Sequence, residues 1–88
     1  MENRIILDCS SMVDEASVHD AFARTLNFPA YYGRTLDALY DLLTQIDTPT
    51  TIRLNHCQLL EGYGKRLLKV LAQATAHNPN LWFVPFYG

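Results

Sequence analysis

Three short apolar runs of strand character, at residues 5–7, 50–54 and 81–86, are separated by stretches in which apolar residues return every three or four positions. This alternation constrains the chain more than any other feature. A strand–helix–strand order predicts a parallel sheet joined by right-handed helical crossovers, an α/β fold. Its 88 residues leave room for one domain, 1–88, and no second core. With 49% hydrophobic and 18% charged residues, the chain is too apolar to stay disordered and too interrupted to span a membrane.

The first run, Ile5-Ile6-Leu7, reads as a strand buried on both faces. Ser17, three residues before Asp20, fits a capping pattern, and Val18, Ala21, Phe22 and Leu26 form the apolar stripe of the helix it opens. Asn27-Phe28-Pro29 ends that helix, since the residue before proline is pushed out of the helical region. A second helix begins near Thr35, with Leu36, Leu39, Leu43 and Ile46 on one face, and Pro49 closes the segment. In the strand at 50–54, Ile52 and Leu54 face one way and Thr51 and Arg53 the other. Residues 57–60 predict a single helical turn, with Gly62 and Gly64 flanking a bend. A third helix over about 65–76 buries Leu67, Val70, Leu71 and Ala74 and stops at Asn78-Pro79. Pro85 has no N–H for a ladder, so the last strand lies at an edge or ends there, and Trp82 is read as core.

Net charge is −2, but it is unevenly spread. Seven acids stand against Arg24 and Arg34 between residues 8 and 47, whereas only Glu61 opposes Arg53, Lys65, Arg66 and Lys69 beyond residue 48. An acidic lobe suits a basic partner and argues against a general nucleic-acid binder. Cys9 and Cys57, 48 positions apart, form no C-x-x-C, zinc spacing or disulfide framework. The apolar run near the N-terminus is too short for a signal peptide, so a reduced, cytoplasmic protein is expected. His19, His56 and His77 lack ligand spacing, and neither metal nor cofactor is expected. Lys65, Arg66 and Lys69 read as a solvated face.

The anomaly lies on the second helix. Asp37 and Asp41 are four residues apart, opposite the leucines, where like charges repel by a few tenths of a kcal/mol. The helix N-terminus compensates Asp37, whereas Asp41 lies beyond its reach and has no cation three or four residues away. Just upstream stands Tyr31-Tyr32-Gly33, two amphipathic rings of the kind that anchor interfaces; spacing places one in the core and one at the surface. Two other uses of these residues are open. Tyr31 and Tyr32 could stack RNA bases beside Arg34, but such a module needs a basic groove and its neighbours here are Asp37 and Asp41. The aspartates could be an acid/base pair, but nothing in the sequence supplies a cleft, a metal set or a phosphate loop, so no enzyme and no catalytic residue are expected.

The run Pro29-Ala30-Tyr31-Tyr32-Gly33-Arg34-Thr35-Leu36-Asp37-Ala38-Leu39-Tyr40-Asp41-Leu42-Leu43 resembles the barstar family of ribonuclease inhibitors. That family shows Pro-x-Tyr-Tyr-Gly leading into Leu-Asp-Ala-Leu, then an aromatic, an aspartate and further leucines. The resemblance implies a three-stranded parallel sheet packed against about four helices. It also implies an intracellular inhibitor or immunity protein, an antitoxin, forming a 1:1 complex with a basic ribonuclease or nuclease toxin, without membrane or direct nucleic-acid contact. By the family pattern, Asp41 would enter the nuclease's phosphate pocket, Asp37 would support it from one turn earlier, and Tyr31 would cover the catalytic histidine. The expected contact surface is Tyr31, Gly33, Thr35, Asp37, Tyr40, Asp41 and Thr44. Its rim departs from the family prototype, which has Asn at Thr35, Trp at Tyr40 and Ile46, and Glu at Gln73, and whose cysteines do not fall at Cys9 or Cys57; this implies the same kind of pocket on a different nuclease.

Overall fold

The computed structural model describes residues 2–87. Strand β1 (Asn3–Asp8) runs into a 3-10 turn (Cys9–Ser11), followed by helices α1 (Glu15–Thr25) and α2 (Leu36–Thr44). Strand β2 (Thr50–Asn55) leads through a second 3-10 turn (Cys57–Leu59) to α3 (Tyr63–His77) and β3 (Leu81–Pro85). The strands form one parallel sheet in the order β1-β2-β3, with Ile5 opposite Ile52 and Ile52 opposite Phe83.

Side chains in a strand alternate between faces, and here only one face meets the helices. Ile5, Leu7, Ile52, Leu54 and Leu81 point inward against Val18, Phe22, Leu39, Leu43, Leu67 and Leu71, all buried. The other face carries Arg4, Ile6, Thr51, Arg53, Trp82 and Val84 in register. Two expectations are thereby corrected. Strand β1 is not buried on both faces, since Ile6 is 62% exposed, and Trp82 is not core, being 51% exposed. A continuous apolar run hides which residues have the helix-facing parity; the layer packed above them decides it.

Among the described residues there are three α-helices rather than about four. The segment after β2 makes only a 3-10 turn, entered through His56 in the left-handed region (φ 61°) and ended by Leu60 in extended conformation. Helix α1 is capped not by Ser17 but by Asp14, whose carboxylate accepts from Ser17 N–H at 2.8 Å while Ser17 Oγ accepts from Asp14 N–H at 3.0 Å. Both pairings have the same spacing, and the earlier start lets the helix present Val18 and His19 inward as well. At its far end Asn27 turns left-handed (φ 54°) and Phe28 N–H bonds the Ala23 carbonyl, a Schellman closure that starts the connection to α2. Helix α3 begins at Tyr63, so Gly64 lies inside it rather than at a bend. A Cβ at Gly64 would come within 2.7 Å of Leu60, so glycine lets that turn pack closely. Leu67, Leu71 and Ala74 are buried as expected, whereas Val70 is half-buried.

Cys9 and Cys57, distant in sequence, meet where β1 and β2 end, with sulfurs 4.0 Å apart and both thiols free. Burial and the neighbouring Cys57 push the Cys9 thiol up to about 12, so the pair packs as apolar groups. No helix among the described residues is long and apolar enough to cross a membrane.

Candidate functional site

Thr35 opens α2 with its backbone extended and its hydroxyl accepting from Ala38 N–H at 3.0 Å. With the start of the helix set, the 3.6-residue repeat does the rest. Leu39 and Leu43 turn fully inward, while Asp37 and Asp41 emerge exposed on the opposite side. Neither aspartate makes an ion pair among the described residues. The nearby cation in sequence, Arg34, is turned the other way: its guanidinium binds the Asp20 carboxylate at 2.5 Å and the Ala16 carbonyl at 3.3 Å on α1.

The far end of α2 is held by Asn78, which its sequence context marks only as a helix stop. Buried Asn78 donates from its amide nitrogen to the Leu43 and Ile46 carbonyls at 2.9 and 3.0 Å, while its own oxygen accepts from Asn80 N–H. The residue just beyond α3 thus caps α2. A polar residue next to a proline is the visible signal, but its target lies more than 30 residues away.

The adjoining connection divides its two tyrosines as the spacing predicts. Tyr31 is 82% exposed, whereas Tyr32 is 8% exposed and packs against Phe28 with ring centroids 4.8 Å apart. A paired stacking platform for RNA bases is therefore not available, because only one of the rings faces solvent. Gly33 sits where the connection crosses the start of α2, and a Cβ there would lie 3.3 Å from the Ala38 Cβ.

The expected surface residues do not share one depression. Tyr31, Gly33 and Asp41 line a shallow cleft of about 210 Å³ with Tyr32, Ala38, Leu42 and Gln45. Thr35 and Asp37 line a second, of about 260 Å³, with Glu15, Leu36, Tyr63 and Arg66. Tyr40 is half-buried with its ring edge-on to His77 at 6.2 Å, and Thr44 turns its hydroxyl back onto the Asp41 carbonyl at 2.9 Å. Asp41 thus lines one cleft with the exposed Tyr31, and Asp37 lines the other. Exposed carboxylates of this kind can accept charge-assisted hydrogen bonds from cationic side chains.

One buried group here has no signature in the sequence pattern. His19 of α1, 1% exposed, lies between two phenols, Nδ1 2.5 Å from the Tyr32 hydroxyl and Nε2 2.6 Å from that of Tyr63. Burial pushes the Tyr32 phenol up to about 12 and holds the His19 imidazole below its usual value. Among the described residues, no cluster of three or more histidine, cysteine or acidic side chains could hold a metal ion.

Helices on one face of a three-stranded parallel sheet, one of them carrying two exposed aspartates beside an exposed tyrosine, make this a small α/β domain. The chain belongs to the barstar family: residues 3–84 match the family described as Barstar (barnase inhibitor). It is also 37% identical over 76 residues to a Bacillus subtilis (strain 168) protein named "Putative ribonuclease inhibitor YrdF". That match covers 81% of this chain and 84% of the relative.

Proposed function

We propose that this protein is a ribonuclease inhibitor that forms a 1:1 complex with a basic nuclease and plugs its active site with α2, catalysing nothing itself. In this reading Asp41 occupies the place of an RNA phosphate, Asp37 adds charge from the preceding turn, and Tyr31 lies over the rim of the nuclease cleft. Gly33, Thr35, Tyr40 and Thr44 complete the contact. Its site of action is the cytoplasm, where such a nuclease would attack the producing cell's own RNA.

The observation that carries this reading is the pair of exposed carboxylates on α2, without an ion pair among the described residues, in a chain of the barstar family, beside a cation that has been diverted to α1. Their mutual repulsion is a cost in the free protein that surrounding arginines or lysines would offset. The test is Asp41→Ala, assayed against a panel of microbial ribonucleases including barnase. The substitution should leave the circular dichroism spectrum unchanged and weaken binding by about 2–5 kcal/mol, a range to which barnase–barstar measurements themselves contribute. Equal protection by the variant and the wild type would end the proposal.

A further inference from the structure

We propose that His19 is a positioning residue for the Tyr31–Gly33 segment, holding it through the Tyr32 hydroxyl, and that proton uptake on the His19 ring frees that segment from α1.

Hydrogen-bond capacity sets the constraint. A neutral imidazole has one N–H and one lone pair, and both His19 nitrogens have a phenol within hydrogen-bond distance. One tyrosine therefore donates to the ring and the other accepts from it. With Tyr32 O–H donating to Nδ1 and Nε2–H donating to Tyr63, the deeply buried Tyr32 keeps its proton satisfied, and the half-buried Tyr63 keeps its own nearer to solvent. The Tyr32 hydroxyl makes no other hydrogen bond among the described residues. An imidazolium donates from both nitrogens, so the Tyr32 O–H loses its acceptor and a cation is left in a buried site.

The groups facing the ring come from every element around it. On α1, Glu15 and Asp20 favour the proton; from the connection, Arg34 opposes it. At the start of α3 stands Tyr63, with the Arg66 guanidinium 5.7 Å from its ring centre, and Asp37 of α2 lines the adjoining cleft. Burial outweighs these charges and favours the neutral ring.

The segment has only two polar side-chain ties to α1 among the described residues: Tyr32 to His19, and Arg34 to Asp20 and Ala16. These anchor points on α1 are close together, and the tied residues flank Gly33. Losing the first tie leaves the exposed Tyr31 on a connection held at one end. The bearing on inhibition rests on the proposed function, because only there do Tyr31 and Gly33 contact a partner.

The experiment uses the free full-length protein, so it does not depend on a nuclease. Amide signals are followed by NMR from about pH 7.5 to about pH 5, together with the His19 ring resonances. The Tyr32 N–H, bonded to the Pro29 carbonyl at 3.0 Å, and the Gly33 N–H should leave their native positions as His19 titrates, while Leu54 and Leu71 keep theirs. Between the pH at which an exposed imidazole takes up its proton and that lower titration, protection of the Tyr32 amide should fall about tenfold per pH unit as pH is lowered, the slope of a single linked proton, and then level off. His19→Gln should abolish this loop transition. Tyr32→Phe, which removes one oxygen and keeps the packing, should displace the loop signals already at neutral pH and decides the matter if the glutamine variant does not fold. Loop and core signals lost together, or loop signals unmoved as His19 titrates, would overturn the inference. A null result for Asp41→Ala against nucleases would instead remove the inhibitor reading and leave the loop result standing.

Discussion

Single residues divide here into those that shape α2 and those that α2 presents. Asn78 belongs to the first kind. Its amide bonds two carbonyls at the end of α2 from a buried position, so Asn78→Ala takes the side-chain donor from the Ile46 carbonyl and leaves the Leu43 carbonyl only its longer backbone bonds, such as that from Ile46 N–H at 3.4 Å. The expected cost is about 1–3 kcal/mol, read from the urea midpoint of the variant. Asp41 belongs to the second. Removing its carboxylate relieves an i,i+4 repulsion, so the free protein should be unchanged or firmer by a few tenths of a kcal/mol in the same assay. A surface aspartate that weakens its own fold while strengthening a complex is the signature expected of a recognition residue, and the two measurements together separate that role from a structural one.

Among the elements, β1 shows how strongly a single parity governs energetics. Ile6 and Leu7 are adjacent and similarly apolar, yet Leu7 is buried and Ile6 lies on the open face of the sheet. Leu7→Ala should cost about 2–5 kcal/mol through lost transfer energy and a cavity. Ile6→Ala should cost less than about 1 kcal/mol, as surface substitutions do. Chemical denaturation of the two variants side by side checks this, and equal costs would mean that the outer face is covered in solution. Helix α2 is legible in the amino-acid order alone: Thr35, the leucine spacing and the opposed aspartates define its start and both faces through purely local rules. The start of α1 is not, because Asp14–Ser17 and Ser17–Asp20 offer the same capping spacing and only packing of the helix on the sheet chooses between them.

At the scale of the whole molecule, two charge-dependent behaviours are expected. His19 is buried in its neutral form, so its pKa in the folded state lies below the unfolded value of 6.5. Below pH 6.5 the unfolded chain binds the extra proton first; stability is therefore full above that pH and declines as pH falls toward the folded-state value. Urea midpoints at about pH 7.5 and about pH 5.5 should show this decline in the wild type and a shallower one in His19→Gln. The acidic lobe carries the second behaviour. Seven of the nine acids lie between residues 8 and 47, so association with a basic nuclease should be steered by long-range attraction. Its on-rate should fall at least severalfold as salt rises from low ionic strength to about 0.5 M in stopped-flow measurements, with the off-rate changing less.

Local rules are enough to place three parallel strands, the course of α2 and the split between Tyr31 and Tyr32, because caps, periods and proline stops act within a few residues of one another. They cannot decide which face of the sheet is covered, nor bring Cys9 to Cys57, His19 to Tyr32 and Tyr63, or Asn78 to the end of α2. Those contacts join residues 13 to 48 positions apart. They exist only once helices and strands have docked, since no periodicity within one element records which side chain of another will arrive beside it.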